Sequence, residues 1–452
     1  MSMPKMYDAA AGYNKKKRIS FAMPGHKGGR GIDFSPEKFD ITELCDTLDL
    51  HHPNEPVKAS QEFLTGFYET DLSLYLAGGS TSGIFIALAA ACKRGSTVAA
   101  GRGCHISVVN AYIFLGLKMV LIPQKTDEVL NCLKCVEYDS IKCLLENYKV
   151  DAVLVTSPTY YGECADINRI AEILHEKNIP LIVDEAHGAH LKSCELLPKS
   201  AVECGADIVI HSAHKTLDAL TPAAFIHLKS RLISKEMLIK AKVMRETSSP
   251  PYYLVISAEK AIEKLLSNPF SHIAEMCMAF RKSIAAETDI IMPMGENYDV
   301  TRLVLCFSKY DTTGFEVSRI LREIYNIDVE AADSTNVICI ATPSNTDEEL
   351  EKLCHAVIVI AGLLKRKECR QFYSFDGFSE INPSESFYSE KKAFNLYKSE
   401  GMTAAEMVLA YPPGIPIIYP GETVNEKAIE YIKLLEECGA QIIGKETFCV
   451  KA

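Results

Sequence analysis

A series of short apolar runs between residues 72 and 212 ends, one after another, in polar loops, and this repetition limits the fold more than any other feature of the chain. Residues 72–76 lead into Ala77-Gly-Gly-Ser-Thr-Ser-Gly83 and then a small-residue helix over 84–92. Residues 97–100 lead to Gly101-Arg-Gly-Cys-His105, and residues 119–122 form another run. Residues 152–156 end at Ser157-Pro-Thr-Tyr-Tyr-Gly162, and Pro180-Leu-Ile-Val183 ends in Asp184. Residues 207–211 end at Ser212-Ala-His-Lys-Thr216. Helical patterns separate several of the runs. Over 166–177, Ile167, Ile170, Ala171 and Leu174 share a face behind a candidate N-cap, Asp166, and a further helical stretch is expected between 187 and 207. Alternation of this kind predicts an α/β fold, a mostly parallel sheet flanked by helices, with ligands at the carboxyl ends of the strands.

The remaining chain divides by pattern. Residues 1–50 form an irregular N-terminal segment, 51–295 the large domain, 296–370 a smaller α/β domain and 371–452 a C-terminal segment. In the small domain, strands are expected at 301–308 and 337–341, and helices at 314–325 and 347–364. A helix at 252–265 should bury Leu254, Ala258, Ala261, Ile262 and Leu265, and a short helix is expected near 393–398. Prolines in Tyr411-Pro-Pro-Gly-Ile-Pro416 forbid a central strand there.

Composition removes several functions. A net charge of −11 argues against nucleic acid or an anionic membrane as the main partner. No apolar run is long enough to span a bilayer, and no signal peptide follows the basic residues 15–18. The 16 cysteines have no framework spacing, so reduced thiols and a cytoplasmic location are expected. Cys132-Leu-Lys-Cys135 stands without a second pair, and no metal site is expected.

The strand-end residues suit one chemistry. The glycine–hydroxyl loop before residue 84 offers helix-start amides and the hydroxyls of Ser80, Thr81 and Ser82 to a phosphate. Lys215 can form a Schiff base, Asp184 can pair with a pyridine nitrogen, His105 can stack on a ring, and Ser212 can join the phosphate cup. Those are the parts needed by pyridoxal 5'-phosphate (PLP). His26 and Lys27, in Met23-Pro-Gly-His-Lys-Gly-Gly29, also offer donors to an anion.

The chain resembles the Orn/Lys/Arg decarboxylases of the aspartate aminotransferase-like type (fold type I), in their short bacterial form. The resemblance is carried by Met23–Gly29, Phe39-Asp-Ile-Thr-Glu-Leu44, Gly78-Gly-Ser-Thr-Ser-Gly83, Pro158-Thr-Tyr-Tyr-Gly162, Val183-Asp-Glu-Ala-His-Gly-Ala-His190, Ser212-Ala-His-Lys-Thr-Leu217, Thr247-Ser-Ser-Pro250, Tyr411–Pro416 and Pro420-Gly-Glu422. It implies a PLP-dependent decarboxylase of arginine, lysine or ornithine, giving CO₂ and a di- or polyamine precursor. It implies Lys215 as the cofactor lysine, His214 as a proton donor, Asp184 on the pyridine nitrogen and His105 on the ring. His187 would lie near the ring, and Ser80, Thr81, Ser82 and Ser212 would bind the phosphate. Thr247 and Ser249 would complete the cup from the neighbouring subunit of a homodimer or dimer of dimers, and Glu422 would meet the substrate's distal cation. Ile106 stands where relatives usually carry lysine, and His211 where a small or amide residue is usual. Decamer formation through a response-regulator-like domain is not expected. An aminotransferase, or a non-catalytic relative, are the competing readings.

Overall fold

The computed structural model describes residues 6–44, 46–367, 377–411 and 414–450. Its centre is an eight-stranded sheet in the order Ser379–Ile381, Lys118–Ile122, Thr97–Gly101, Ala152–Thr156, Leu181–Asp184, Ile208–Ser212, Ala224–Leu228, Leu72–Leu76. The strands from Lys118–Ile122 to Ile208–Ser212 pair in parallel. Ala224–Leu228 and Ser379–Ile381 run antiparallel to their neighbours. Pairing antiparallel to Ala224–Leu228 on the opposite side from Ile208–Ser212 gives Leu72–Leu76 the same direction as Ile208–Ser212. Their following loops therefore open on one edge.

Strand alternation supplies two cores, one on each face. Val153 and Val155 enter the larger cluster, whereas Ala152 and Leu154 enter the other. The helix Gly79–Ala91 is apolar around most of its circumference because it lies buried on the second face. The expected helix after Asp166 forms as Ile167–His175, with the Asp166 carboxylate accepting from Arg169 N and the four named apolar residues buried. Such a cap contributes about 1 kcal/mol. Tyr252–Leu265 likewise buries the expected face.

The stretch between Asp184 and the Ile208–Ser212 strand departs from expectation. It contains turns and one 3₁₀ segment, Leu191–Ser193, in place of a helix. Gly188, Pro198 and Gly205 interrupt helical propagation, and Glu185 takes the Ser200 hydroxyl and the Ala201 amide. The segment near 393–398 is also different: strand Lys391–Asn395 runs into a 3₁₀ turn, Leu396–Lys398.

Strands Arg302–Cys306, Asn336–Ile340 and Ala331–Ala332 form a separate antiparallel sheet. Helix Asp347–Leu363 in this region starts with a capping box between Thr346 and Glu349. The C-terminal region builds a third sheet in which Ile415–Ile418, containing Pro416, occupies an edge, the position where a missing N–H is tolerated. Pro412 and Pro413 of that motif lie outside the described residues. Among the described residues no helix is long and apolar enough to cross a membrane.

Candidate active site

The turn carrying Lys215 leaves the sheet immediately after Ser212. The N-terminal glycine motif holds it in place: Gly25 N donates to His214 O at 2.8 Å. A Cβ on Gly25 would lie 2.4 Å from Leu217 O, so only glycine permits this approach. Lys27 has a different task from the anion binding expected of it. Its buried amine donates to Ala22 O (2.7 Å) and Ile340 O (3.1 Å), tying this loop to the small sheet, and burial lowers its pKa to about 7.

Lys215 Nζ lies 3.0 Å from His187 Nε2. Its pKa is lowered, chiefly by burial, with Arg302 acting in the same sense and Asp184 and Glu330 opposing it. Asp184 is buried at the end of its strand, and its carboxylate accepts from Ala186 N. His105 is the most open of the group. It caps helix Ile106–Leu115 by accepting at Nδ1 from Ser107 N. Desolvation lowers its pKa, Asp184 raises it and Lys215 lowers it, so the three titratable groups share one field.

His214 is held by Nδ1 against Ala223 O at 3.1 Å. A carbonyl only accepts, so Nδ1 carries the proton and Nε2 is an acceptor while the ring is neutral. Burial above all lowers the His214 pKa to about 4. At neutral pH the His214 ring is therefore neutral, with Nε2 as its acceptor.

The glycine–hydroxyl loop meets the lysine turn through the Ser212 hydroxyl, which donates to Ser80 Oγ at 2.8 Å. Helix Gly79–Ala91 has no side-chain cap. The buried Ser82 Oγ has no partner. An orphaned hydroxyl at an uncapped helix start fits a phosphate, and the buried low-pKa amine nearby fits an aldehyde. One carboxylate stands beside this cup: Glu246 accepts from Ala77 N (2.8 Å) and Gly78 N (3.1 Å). Thr247 and Ser249 are exposed, and their recorded side-chain hydrogen bonds are to each other.

Glu422, expected to meet the substrate's distal cation, is paired within the chain. Glu422 Oε1 pairs with Arg102 Nη2, while Oε2 accepts from Arg102 Nη1 and Tyr419 N. Tyr419 also donates its hydroxyl to Arg102 O. This contact docks the C-terminal region onto the loop that carries His105.

Three neighbours of the site lie outside the sequence motifs, in other segments. Arg302 Nη2 is 2.8 Å from His187 Nδ1. Glu330 accepts from Tyr160 Oη at 2.9 Å and from Met23 N at 2.8 Å. Among the described residues, Asp333 is the one acid lining a cavity of about 120 Å³, which it shares with Arg102, Asn131, Tyr160 and Tyr161 among others. Burial raises the Asp333 pKa despite hydrogen bonds from Asn336, Thr335 and Tyr161. The cavity adjoins the lysine cluster through Tyr160, whose ring is 5.4 Å from that of His187.

The family described as Orn/Lys/Arg decarboxylase, major domain, matches residues 4–308, and its C-terminal domain matches residues 380–447. The chain is 29% identical to arginine decarboxylase of Bacillus anthracis, over 98% of this chain and 94% of that protein. It is also 29% identical to arginine decarboxylase of Bacillus subtilis, covering 98% and 95%. The fold is similar to that of lysine decarboxylase A from Pseudomonas aeruginosa, with a TM-score of 0.76 at 15% identity, covering 99% of this chain and 82% of the other. The fold is that of the aspartate aminotransferase-like type I enzymes.

Proposed function

The chain belongs to the Orn/Lys/Arg decarboxylase family, and from that premise we propose that it holds PLP at Lys215 and decarboxylates a basic amino acid, with arginine as its first substrate. The observation that carries the reading is the convergence of Lys215, Asp184, His105 and the uncapped, serine-lined helix start on one sheet edge. PLP supplies, when bound, an electron-withdrawing ring that accepts the electrons left as CO₂ departs.

Asp184 would hold a proton on the pyridine nitrogen, and His105 would cover one face of the ring. Ser80, Thr81, Ser82 and Ser212 would hold the phosphate. Thr247 and Ser249 would add hydroxyls across the interface of a homodimer or dimer of dimers. His214 Nε2, unprotonated at neutral pH, would take a proton from the substrate ammonium and return it to Cα. Glu422 is committed to Arg102, so its proposed role becomes positioning of the His105 loop. A cytoplasmic location remains part of the proposal, since the chain is acidic and rich in cysteine thiols.

Two observations support arginine. The arginine decarboxylases from the two Bacillus species match nearly the full chain. Asp333 is a half-buried carboxylate whose ionised form is disfavoured by desolvation, so a guanidinium entering the cavity would meet an acid that gains from a cation beside it. The test is a panel of arginine, lysine and ornithine offered to PLP-loaded protein, with CO₂ and amine products identified. Arginine should show the highest kcat/KM. Faster turnover of lysine or ornithine would reject arginine, and loaded protein that releases no CO₂ from any of them would reject the decarboxylase reading. Arg302 Nε and Nη1 are buried without partners, the state that a transaminase arginine awaiting an α-carboxylate would show. Amino transfer to an oxo acid therefore belongs in the same assay.

A further inference from the structure

Arg302 opens the first strand of the small sheet and is 1% exposed. Its stem packs under Gly162, where a Cβ would come within 2.9 Å of Arg302 Cβ and Cγ. Three residues earlier, Asp299 Oδ2 meets His190 Nε2 at 3.1 Å. Arg302 meets His187 at the other end. The two histidines of Asp184-Glu-Ala-His187-Gly-Ala-His190 are thus gripped at two points by the segment Asp299-Val-Thr-Arg302, which fixes the register of the guanidinium.

Proton direction then follows from donor chemistry. A guanidinium has only donors, so His187 Nδ1 must accept from Arg302. A neutral imidazole accepting at Nδ1 carries its proton on Nε2. That Nε2–H faces Lys215 Nζ at 3.0 Å, and only a neutral amine has a lone pair to accept it. An imidazolium would place donor against donor at Arg302, and an ammonium would do so at His187.

We propose that Arg302 is a positioning residue that fixes the proton of His187 on Nε2 and so holds Lys215 as a neutral amine ready for its cofactor. The inference rests on the reading that Lys215 carries PLP. Neutral Nζ gives its lone pair to the aldehyde carbon, and the two amine hydrogens leave with the aldehyde oxygen as water. Around Lys215, Asp184 and Glu330 favour the ammonium while burial and Arg302 oppose it. Around His187, burial acts first and Lys215, Arg302, His105 and His214 follow, all lowering its pKa well below the usual value.

The test uses full-length apoenzyme in wild-type, Arg302→Met and Arg302→Lys forms. The rate of PLP attachment is read by absorbance across a pH series, with no substrate present. Arg302→Met should move the profile about one unit higher, slowing attachment at neutral pH about tenfold. Arg302→Lys keeps a donor toward Nδ1 and should stay close to wild type. Nitrogen-15 spectra of His187 in the wild-type apoenzyme should show the Nε2–H form. Finding the Nδ1–H form or an imidazolium there overturns the proposal even if both variants fail to fold. So does an unchanged attachment profile in a folded Arg302→Met. If the wild type never takes up PLP, the functional reading fails instead, and the tautomer measurement still decides the role of Arg302.

Discussion

Two buried polar systems flank the same strands, and they are finished differently. On the edge where Lys215 sits, Arg302, His187 and Lys215 are linked by hydrogen bonds and Ser212 is linked to Ser80, and loose ends remain around both. Arg302 Nε and Nη1, Ser82 Oγ and Thr156 Oγ1 are all buried without partners. On the opposite face, Glu185 Oε2 meets His211 Nε2 at 2.6 Å, and His211 Nδ1 meets His227 Nε2 at 3.1 Å. His227 Nδ1 meets Ser73 Oγ at 2.7 Å, and Ser73 Oγ meets Thr70 Oγ1 at 2.7 Å. Glu185 only accepts while ionised, so His211 donates to it from Nε2. Tyr68 covers the two histidines, with ring centroids 5.1 and 4.2 Å away. Each of its buried side chains has a partner. A closed network fixes strands, whereas an open one has donors left for a ligand.

The largest effect should fall on the open side. Asp184→Ala in PLP-loaded protein should lower kcat on the order of 10²–10³-fold with little change in melting temperature. Steady-state kinetics on protein of measured cofactor content checks this. Near-normal turnover with cofactor bound would remove Asp184 from the machinery and erase the contrast between the faces.

The closed side should respond in stability instead. His211→Leu leaves Glu185 as a buried charge without its imidazole and should cost about 3–5 kcal/mol, read by denaturant unfolding. Under conditions where the variant remains folded, kcat should stay close to wild type. A stable variant with lost activity would put His211 on the functional side.

His211 also shows where sequence reading ends. It stands next to Ser212 and four residues before Lys215, and by sequence alone it looks like a departure within the site. Strand alternation sends the two side chains to opposite faces: Ser212 reaches Ser80, while His211 reaches Glu185 and His227. Local pattern could show the strand ends and the cofactor-type residues, because each lies in a short contiguous motif. It could not show Arg302 or Asp333, which stand outside those motifs and arrive from a different sheet. Glu422 was visible as an acid in a distinctive motif, but its partner Arg102 lies 320 residues away, and no local spacing encodes that pairing. The missing helix between 187 and 207 has the same cause, since the Glu185 carboxylate binds Ser200 and Ala201 and favours turns over helical propagation.

Acid should weaken the closed side in a defined window. Burial, followed by His211, holds the His227 pKa well below the ordinary value of 6.5. The unfolded chain therefore binds a proton that the folded chain refuses, and stability falls as pH drops below about 6.5 toward the folded-state pKa. Each such histidine contributes about 1.4 kcal/mol per pH unit in that window. His227→Asn should lower the overall stability and also flatten its pH dependence by about one proton. Denaturant titrations at several pH values measure the slope, and an unchanged slope would mean that His227 is not buried as a neutral ring.

The smallest effect should come from the carboxylate at the margin of the open side. Glu246 accepts from Ala77 N and Gly78 N while its Oε1 remains buried without a partner. It therefore uses two amides at the edge of the proposed phosphate cup and also places negative charge beside it. Glu246→Gln keeps an amide oxygen to accept those N–H groups and removes the charge. Near a solvent-accessible cup this change is worth about 1 kcal/mol, which lowers the Kd for PLP roughly fivefold. Fluorescence titration of the apoenzyme at low and high salt reads it, and the gain should shrink as salt screens the repulsion. Weaker PLP binding in a folded Glu246→Gln would show instead that the carboxylate holds the loop in shape, and would place Glu246 with the closed structural network.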